Sequence, residues 1–128
     1  MKKILVVDDE RDVESLFRQQ FRKEIRAKEV EMHFAFSAKE ALEYMGTIQP
    51  FNLVLLMSDI NMPDMSGLEL LKKAKELYPG LQVILVTAFG VDGNRNAAKA
   101  HGADGFFTKP VNFDSLRKSM LSLENLQQ

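Results

Sequence analysis

The chain of 128 residues contains no cysteine. That absence excludes disulfides, iron–sulfur clusters and Cys-based zinc sites, and it suits the reducing cytoplasm. Net charge is almost absent too: 17 Lys and Arg face 18 Asp and Glu, a formal charge of −1. Direct nucleic-acid binding draws on surplus cations to neutralise phosphates, so it finds no support here. Long apolar runs are also missing. Met1-Lys2-Lys3-Ile4-Leu5-Val6-Val7 opens like a secretion signal, but the run stops after four apolar residues at Asp8-Asp9. That is too short for a signal core. No stretch approaches the roughly 18 apolar residues of a membrane span, so no membrane partner is expected.

What is present is ordinary for a globular domain: 45% hydrophobic and 27% charged residues. The length fits one domain, expected over residues 1–128. Nothing after the last helical pattern is long enough for an output domain, so a stand-alone domain is expected. The recurring unit is a short apolar run followed by a helical pattern. Ile4–Val7 reads as a strand buried on both faces. Val13, Leu16, Phe17, Phe21 and Ile25 then mark one amphipathic helix. Val30, Met32, Phe34 and Phe36 alternate with Glu31, His33 and Ala35 as a second strand. Ser37 with Glu40 is a capping box opening a helix to about Met45. Leu53–Met57 is the third strand, followed by the loop Asp59–Ser66 and a helix from Gly67 to Leu77. Leu81–Thr87 is the fourth strand. A loop over Ala88–Asn94, with Gly90 and Gly93, precedes a fourth, weakly amphipathic helix that ends at His101-Gly102. Phe106–Thr108 is a fifth strand, and Asn112 caps a fifth helix. Strand–helix repeated five times predicts an α/β fold, a doubly wound parallel sheet covered on both faces.

Such folds bind ligands beyond the carboxyl ends of their strands. Those ends carry Asp8-Asp9, Ser37, Asp59, Thr87 and Lys109. Alone, Asp8 and Asp9 could simply cap the first helix. Asp59 at the matching end of the third strand favours another reading: three converging carboxylates repel, and a hard divalent cation such as Mg²⁺ relieves them. No glycine-rich loop follows the first strand, so neither a dinucleotide fingerprint nor a Walker-type phosphate loop is present. Acidic residues with a metal, the Thr87 hydroxyl and the Lys109 ammonium suit a transferred phosphoryl group. Asp59 would be its nucleophile.

These residues resemble the receiver domain of two-component response regulators. The matching pieces are Val6-Val7-Asp8-Asp9-Glu10, Ser58-Asp59-Ile60-Asn61-Met62-Pro63-Asp64-Met65-Ser66-Gly67, Val86-Thr87-Ala88 and Phe107-Thr108-Lys109-Pro110. The resemblance implies a flavodoxin-like sheet in the order 2-1-3-4-5 with five helices. It makes Asp59 the acceptor of a phosphoryl group from a sensor histidine kinase or a phosphotransfer protein. Asp8, Asp9 and Asp59 would hold Mg²⁺ with the backbone carbonyl of Asn61, Asp9 being the more direct ligand of the acidic pair. Thr87 and Lys109 would contact the phosphoryl group, and Phe106 would move with Thr87 as a switch. Output would be a protein partner on the fourth helix, fifth strand and fifth helix, with a monomer or a phosphorylation-dependent dimer as the assembly. The resemblance also implies a signalling domain rather than an enzyme, beyond slow self-dephosphorylation, and a cis Lys109-Pro110 bond. The rival is a Mg²⁺-dependent phosphohydrolase working through an aspartyl phosphate. It needs a general acid two residues after Asp59, where Asn61 stands.

Two features vary on the family pattern. The apolar run before Asp59 is about two residues longer, which predicts a bulge or a longer strand. The link from first helix to second strand, around Arg22–Glu31, is extended and charged. Elsewhere the expectations are plain. His33 and His101 form no ligand cluster, Asp64 is a solvated loop acid, and Arg22-Lys23 and Lys72-Lys73-Lys75 are solvated helix faces.

Overall fold

The computed structural model describes residues 2–47, 53–87, 99–100 and 102–127. Its strands are β1 (Lys2–Val7), β2 (Val30–Ala35), β3 (Leu53–Asp59), β4 (Gln82–Thr87) and β5 (Gly105–Thr108). They form one parallel sheet in the order β2-β1-β3-β4-β5, as expected. Five helices are present among the described residues: α1 (Asp12–Gln20), α2 (Arg22–Arg26), α3 (Ala38–Thr47), α4 (Gly67–Leu77) and α5 (Phe113–Gln127). The loop Ala88–Asn94 and most of the predicted helix ending at His101 lie outside the described residues; Lys99 and Ala100 are helical.

Strand residues alternate between two cores. Leu5, Val7, Leu56, Val83 and Leu85 pack with Ala38, Ala41 and Met45 of α3 and Leu70, Leu71 and Ala74 of α4. Ile4, Val6, Leu55, Met57, Ile84 and Val86 face the other way, onto Phe17, Phe21 and Leu116. Period-2 alternation in strands that are apolar on both sides is what a doubly covered sheet requires.

Three departures from the sequence pattern have local causes. The single amphipathic helix over 12–25 is broken at Phe21, whose backbone leaves helical geometry (φ −105°, ψ 20°). Phe21 is buried, with its ring 6.1 Å from Phe17 and from Phe113. The chain then restarts as the short α2, which uses the charged extension. Phe36 is not part of β2: it lies in a bend, under the Arg11 guanidinium at 4.4 Å. The long run before Asp59 is both a longer strand and a bulge. Lys3 pairs with Leu53 but Ile4 with Leu55, so β3 carries one extra residue near its start. Beyond the bulge the register is regular, and Val7 lies opposite Ser58. That register brings Asp8 beside Asp59.

Candidate functional site

In the order β2-β1-β3-β4 the connection after β1 runs to one side of the sheet and the connection after β3 to the other, which opens a crevice at the carboxyl ends of these two strands. Asp8 follows β1 and Asp59 ends β3, both buried; Asp9 is exposed. One carboxylate oxygen from each of the three lies within 4.8 Å of the others. From across the sheet Lys109 Nζ donates to Asp8 Oδ2 at 3.0 Å and to Asp59 Oδ2 at 3.4 Å. The Lys109 backbone is held by its own N–H to the Thr87 carbonyl at 2.7 Å, which extends the β4–β5 ladder by one rung. The Lys109-Pro110 bond is cis.

The electrostatics follow from this crowding. Burial first, and then the charge of Asp8, raise the Asp59 pKa above the ordinary carboxylate value; Lys109 and the Asn61 backbone N–H only partly offset them. Burial works against the Lys109 ammonium, but its bond to Asp8 and the charges of Asp59, Asp8 and Glu10 outweigh it and hold its pKa above the usual lysine value. Three carboxylates sharing one ammonium are undercompensated. An all-oxygen set of this kind fits a hard divalent cation, which the same residues could hold.

Thr87 ends β4, fully buried, and its hydroxyl has no hydrogen-bond partner among the described residues. Unpaired buried hydroxyls are uncommon and ask for an explanation. Phe106 is half-buried, opposite Leu85, and packs on the core beneath α3 and α4. Asn61 is exposed in the loop after Asp59. Thus Asp8, Asp9, Asp59 and Lys109 converge directly, with Thr87 at the adjoining strand end. Beside them an apolar cleft of about 590 Å³ runs between α1 and α5, walled by Leu16, Phe17, Val111 and Phe113.

The sequence reading missed two residues. Glu10 sits 4.0 Å from Lys109, and its backbone N–H donates to Asp8 Oδ1 at 2.9 Å, fixing that carboxylate. Asp64 is exposed, as expected of a loop acid, but it is not free of partners. Its carboxylate accepts from the Lys39 N–H at 3.0 Å and the Ala38 N–H at 3.4 Å, at the start of α3. Those bonds hold its pKa below the ordinary value. Its place in the sequence points to the helix that follows at Gly67, whereas the helix it serves begins 26 residues earlier. His33, expected to be unligated, pairs with Glu31 at 3.0 Å and stacks on Tyr44, away from this site.

Comparison with known proteins agrees with this geometry. The family model for the response regulator receiver domain matches residues 4–121. The chemotaxis protein CheY of Halobacterium salinarum is 31% identical over 85% of this chain and 85% of its own length. The response regulator PilR of Pseudomonas aeruginosa is 36% identical over 91% of this chain. This chain spans about a quarter of the length of PilR and of LuxO from Vibrio cholerae. Among solved structures, a CheY-like receiver domain from Methanospirillum hungatei superposes with a TM-score of 0.83 at 33% identity, covering 99% of this chain and 97% of that one. Buried carboxylates and a lysine at the strand ends, on a sheet of this order, are therefore those of a family member: the chain belongs to the response regulator receiver domains of two-component signalling.

Proposed function

We propose that Asp59 is the phosphoacceptor and that the chain works as a phosphorylation switch, in the cytoplasm, as a single domain over 1–128. The observation that carries this reading is the convergence of Asp8, Asp9 and Asp59 with Lys109 at the β1–β3 crevice. A carboxylate oxygen of Asp59 attacks phosphorus, and the bond from phosphorus to the nitrogen of a donor histidine breaks, which leaves an acyl phosphate. The donor is a histidine kinase or a phosphotransfer protein. Lys109, already between Asp8 and Asp59, neutralises one of the added charges. The unpaired Thr87 hydroxyl donates to a phosphoryl oxygen, and its displacement opens space for Phe106. That movement alters the surface around β5 and α5 which a protein partner reads. Asp8, Asp9, Asp59 and the Asn61 carbonyl would hold Mg²⁺, which when bound screens the negative charge gathered by acceptor and phosphoryl group. Assembly is a monomer or a dimer formed on phosphorylation.

The phosphohydrolase alternative lacks its proton donor, since the residue two beyond Asp59 is Asn61. Incubation with acetyl phosphate and Mg²⁺ tests the acceptor. Intact mass should rise by one phosphoryl group in the wild type and stay unchanged in Asp59→Asn. Equal labelling of both overturns the assignment.

A further inference from the structure

The loop between β3 and α4 starts at the acceptor and carries Asn61. It is tied down at three points. At its start the Ile60 N–H donates to the Val86 carbonyl at 2.9 Å. At its end the Gly67 N–H returns to the Ile60 carbonyl at 2.8 Å, so closely that a Cβ on Gly67 would sit 2.3 Å from the Asp59 carbonyl oxygen. Between these two anchors Met62 and Met65 pack on the core, and among the described residues Asp64 makes the loop's hydrogen bonds to another element.

That reach completes the first turn of α3. A helix begins with N–H groups that have no partner inside it. Here the Glu40 N–H donates to the Ser37 hydroxyl at 3.1 Å, a local cap. The N–H groups of Ala38 and Lys39 are left for Asp64, and both donate to it. Its negative charge also suits the positive end of the helix dipole. The division of labour is uneven in one useful respect. Ser37 lies next to the helix it caps, whereas Asp64 lies three residues beyond Asn61 and five beyond Asp59.

We infer that Asp64 is a positioning residue: it fastens the loop bearing Asn61 to the start of α3, and so couples α3 to occupation of the Asp59 site. This rests on the acceptor-site reading above. A loop held in its middle presents the Asn61 carbonyl in one place, and movement of that carbonyl on metal binding is passed to the Ala38 and Lys39 amides. Freed from Asp64, the same loop keeps its two ends and the packing of Met62 and Met65 but loses its hydrogen bonds to α3.

A Mg²⁺ titration of the wild type, Asp64→Ala, Asp64→Asn and Ser37→Ala tests this. Affinity is read by calorimetry and the α3 amides by NMR. In the wild type, Mg²⁺ should shift the Ala38 and Lys39 amide signals. Asp64→Ala should lose those shifts and weaken Mg²⁺ on the order of tenfold, the lower end of what outer partners of metal ligands contribute. Asp64→Asn keeps an accepting oxygen and should recover most of the affinity. Ser37→Ala weakens the same helix end without touching the loop, and should bind Mg²⁺ like the wild type. Wild-type affinity in Asp64→Ala, or an equal loss in Ser37→Ala, overturns the coupling and leaves Asp64 as a helix cap. Silent Ala38 and Lys39 amides in the wild type overturn it even if Asp64→Ala does not fold. A wild type that takes neither Mg²⁺ nor a phosphoryl group overturns the acceptor reading as well, which separates the two failures.

Discussion

A lysine bridges to aspartate at both ends of this sheet, and the two arrangements differ in their balance. At the amino end Lys75 Nζ donates to Asp104 Oδ2 at 2.9 Å and to the Leu81 carbonyl at 2.6 Å. The same Asp104 oxygen accepts from the Val83 N–H at 2.8 Å. One cation meets one anion there, so the charges balance, although the neighbouring Gln82 Oε1 is buried without a partner. At the carboxyl end Lys109 serves Asp8 and Asp59 at once, with Asp9 within reach of both carboxylates and Glu10 4.0 Å from the ammonium. Charge is left over, and a buried hydroxyl is left unpaired. An arrangement tuned for stability would not accept this surplus, so the imbalance marks the end at which a cation and an anionic group are to be received.

The largest expected difference comes from removing each lysine in turn while keeping its apolar stem. Lys75→Met and Lys109→Met should each cost about 2 kcal/mol without divalent metal, less than a fully buried pair because both ammonium groups are partly exposed. Mg²⁺ should then separate them. At the carboxyl end the uncovered carboxylates bind it more tightly than the wild type does, so the stability gained on adding it is larger. Lys75→Met should gain only what the wild type gains. Urea unfolding with and without Mg²⁺ measures both, and an equal gain in all three proteins would erase the distinction between the two ends.

How much of this could be read in the sequence depended on the range of each signal. Strands and core faces rest on local periodicity, so β1, β3 and β4 and the two-sided core were legible, as was the Ser37 cap. The five strand-end residues were legible because fold class alone predicts where a strand's carboxyl end points. Long-range contacts left no such trace. The break at Phe21 arises because its ring packs against Phe113, 92 positions away, and no helix-breaking residue marks it. Asp64 looked like any acid in a proline-containing loop, because its partners lie 25 and 26 residues back. Sequence carried the placement of the strand-end residues well and their mechanical supports poorly.

A smaller effect concerns pH and sets Asp59 against Asp64. The folded-state pKa of Asp59 is raised, so the folded protein binds that proton more tightly than the unfolded chain. Its contribution to stability is present below the ordinary carboxylate pKa and is lost as pH rises through the raised value. Asp59→Asn never ionises, so without metal it should be more stable than the wild type at neutral pH, with the two curves converging as pH falls through that window. Asp64 has the opposite sign: its pKa is lowered, and its contribution is present above the ordinary value and lost as pH falls through the lowered one. Asp64→Ala should therefore be less stable than the wild type at neutral pH and lose that deficit only in stronger acid. Urea melts over the acid range distinguish the two, and parallel curves for both variants would contradict the opposed environments.

The smallest stability change is expected at Thr87, and it is informative because it is small. Its hydroxyl is buried with no partner among the described residues, whereas its methyl group and backbone are well packed at the end of β4. Valine keeps the shape and removes the unpaired group. Since burying a polar group without a hydrogen bond is costly, Thr87→Val should be neutral or more stable by up to about 1 kcal/mol. A hydroxyl retained for folding would give the opposite result, a loss on removal. If its partner is instead the phosphoryl group on Asp59, the variant should still accept that group but fail to transmit it. Hydrogen exchange of Phe106 and Phe107 should then respond to beryllofluoride in the wild type and stay flat in Thr87→Val. A clear loss of stability in the valine variant, or an undiminished response at β5, would mean that Thr87 belongs with the balanced contacts at the other end of the sheet and not with the switch.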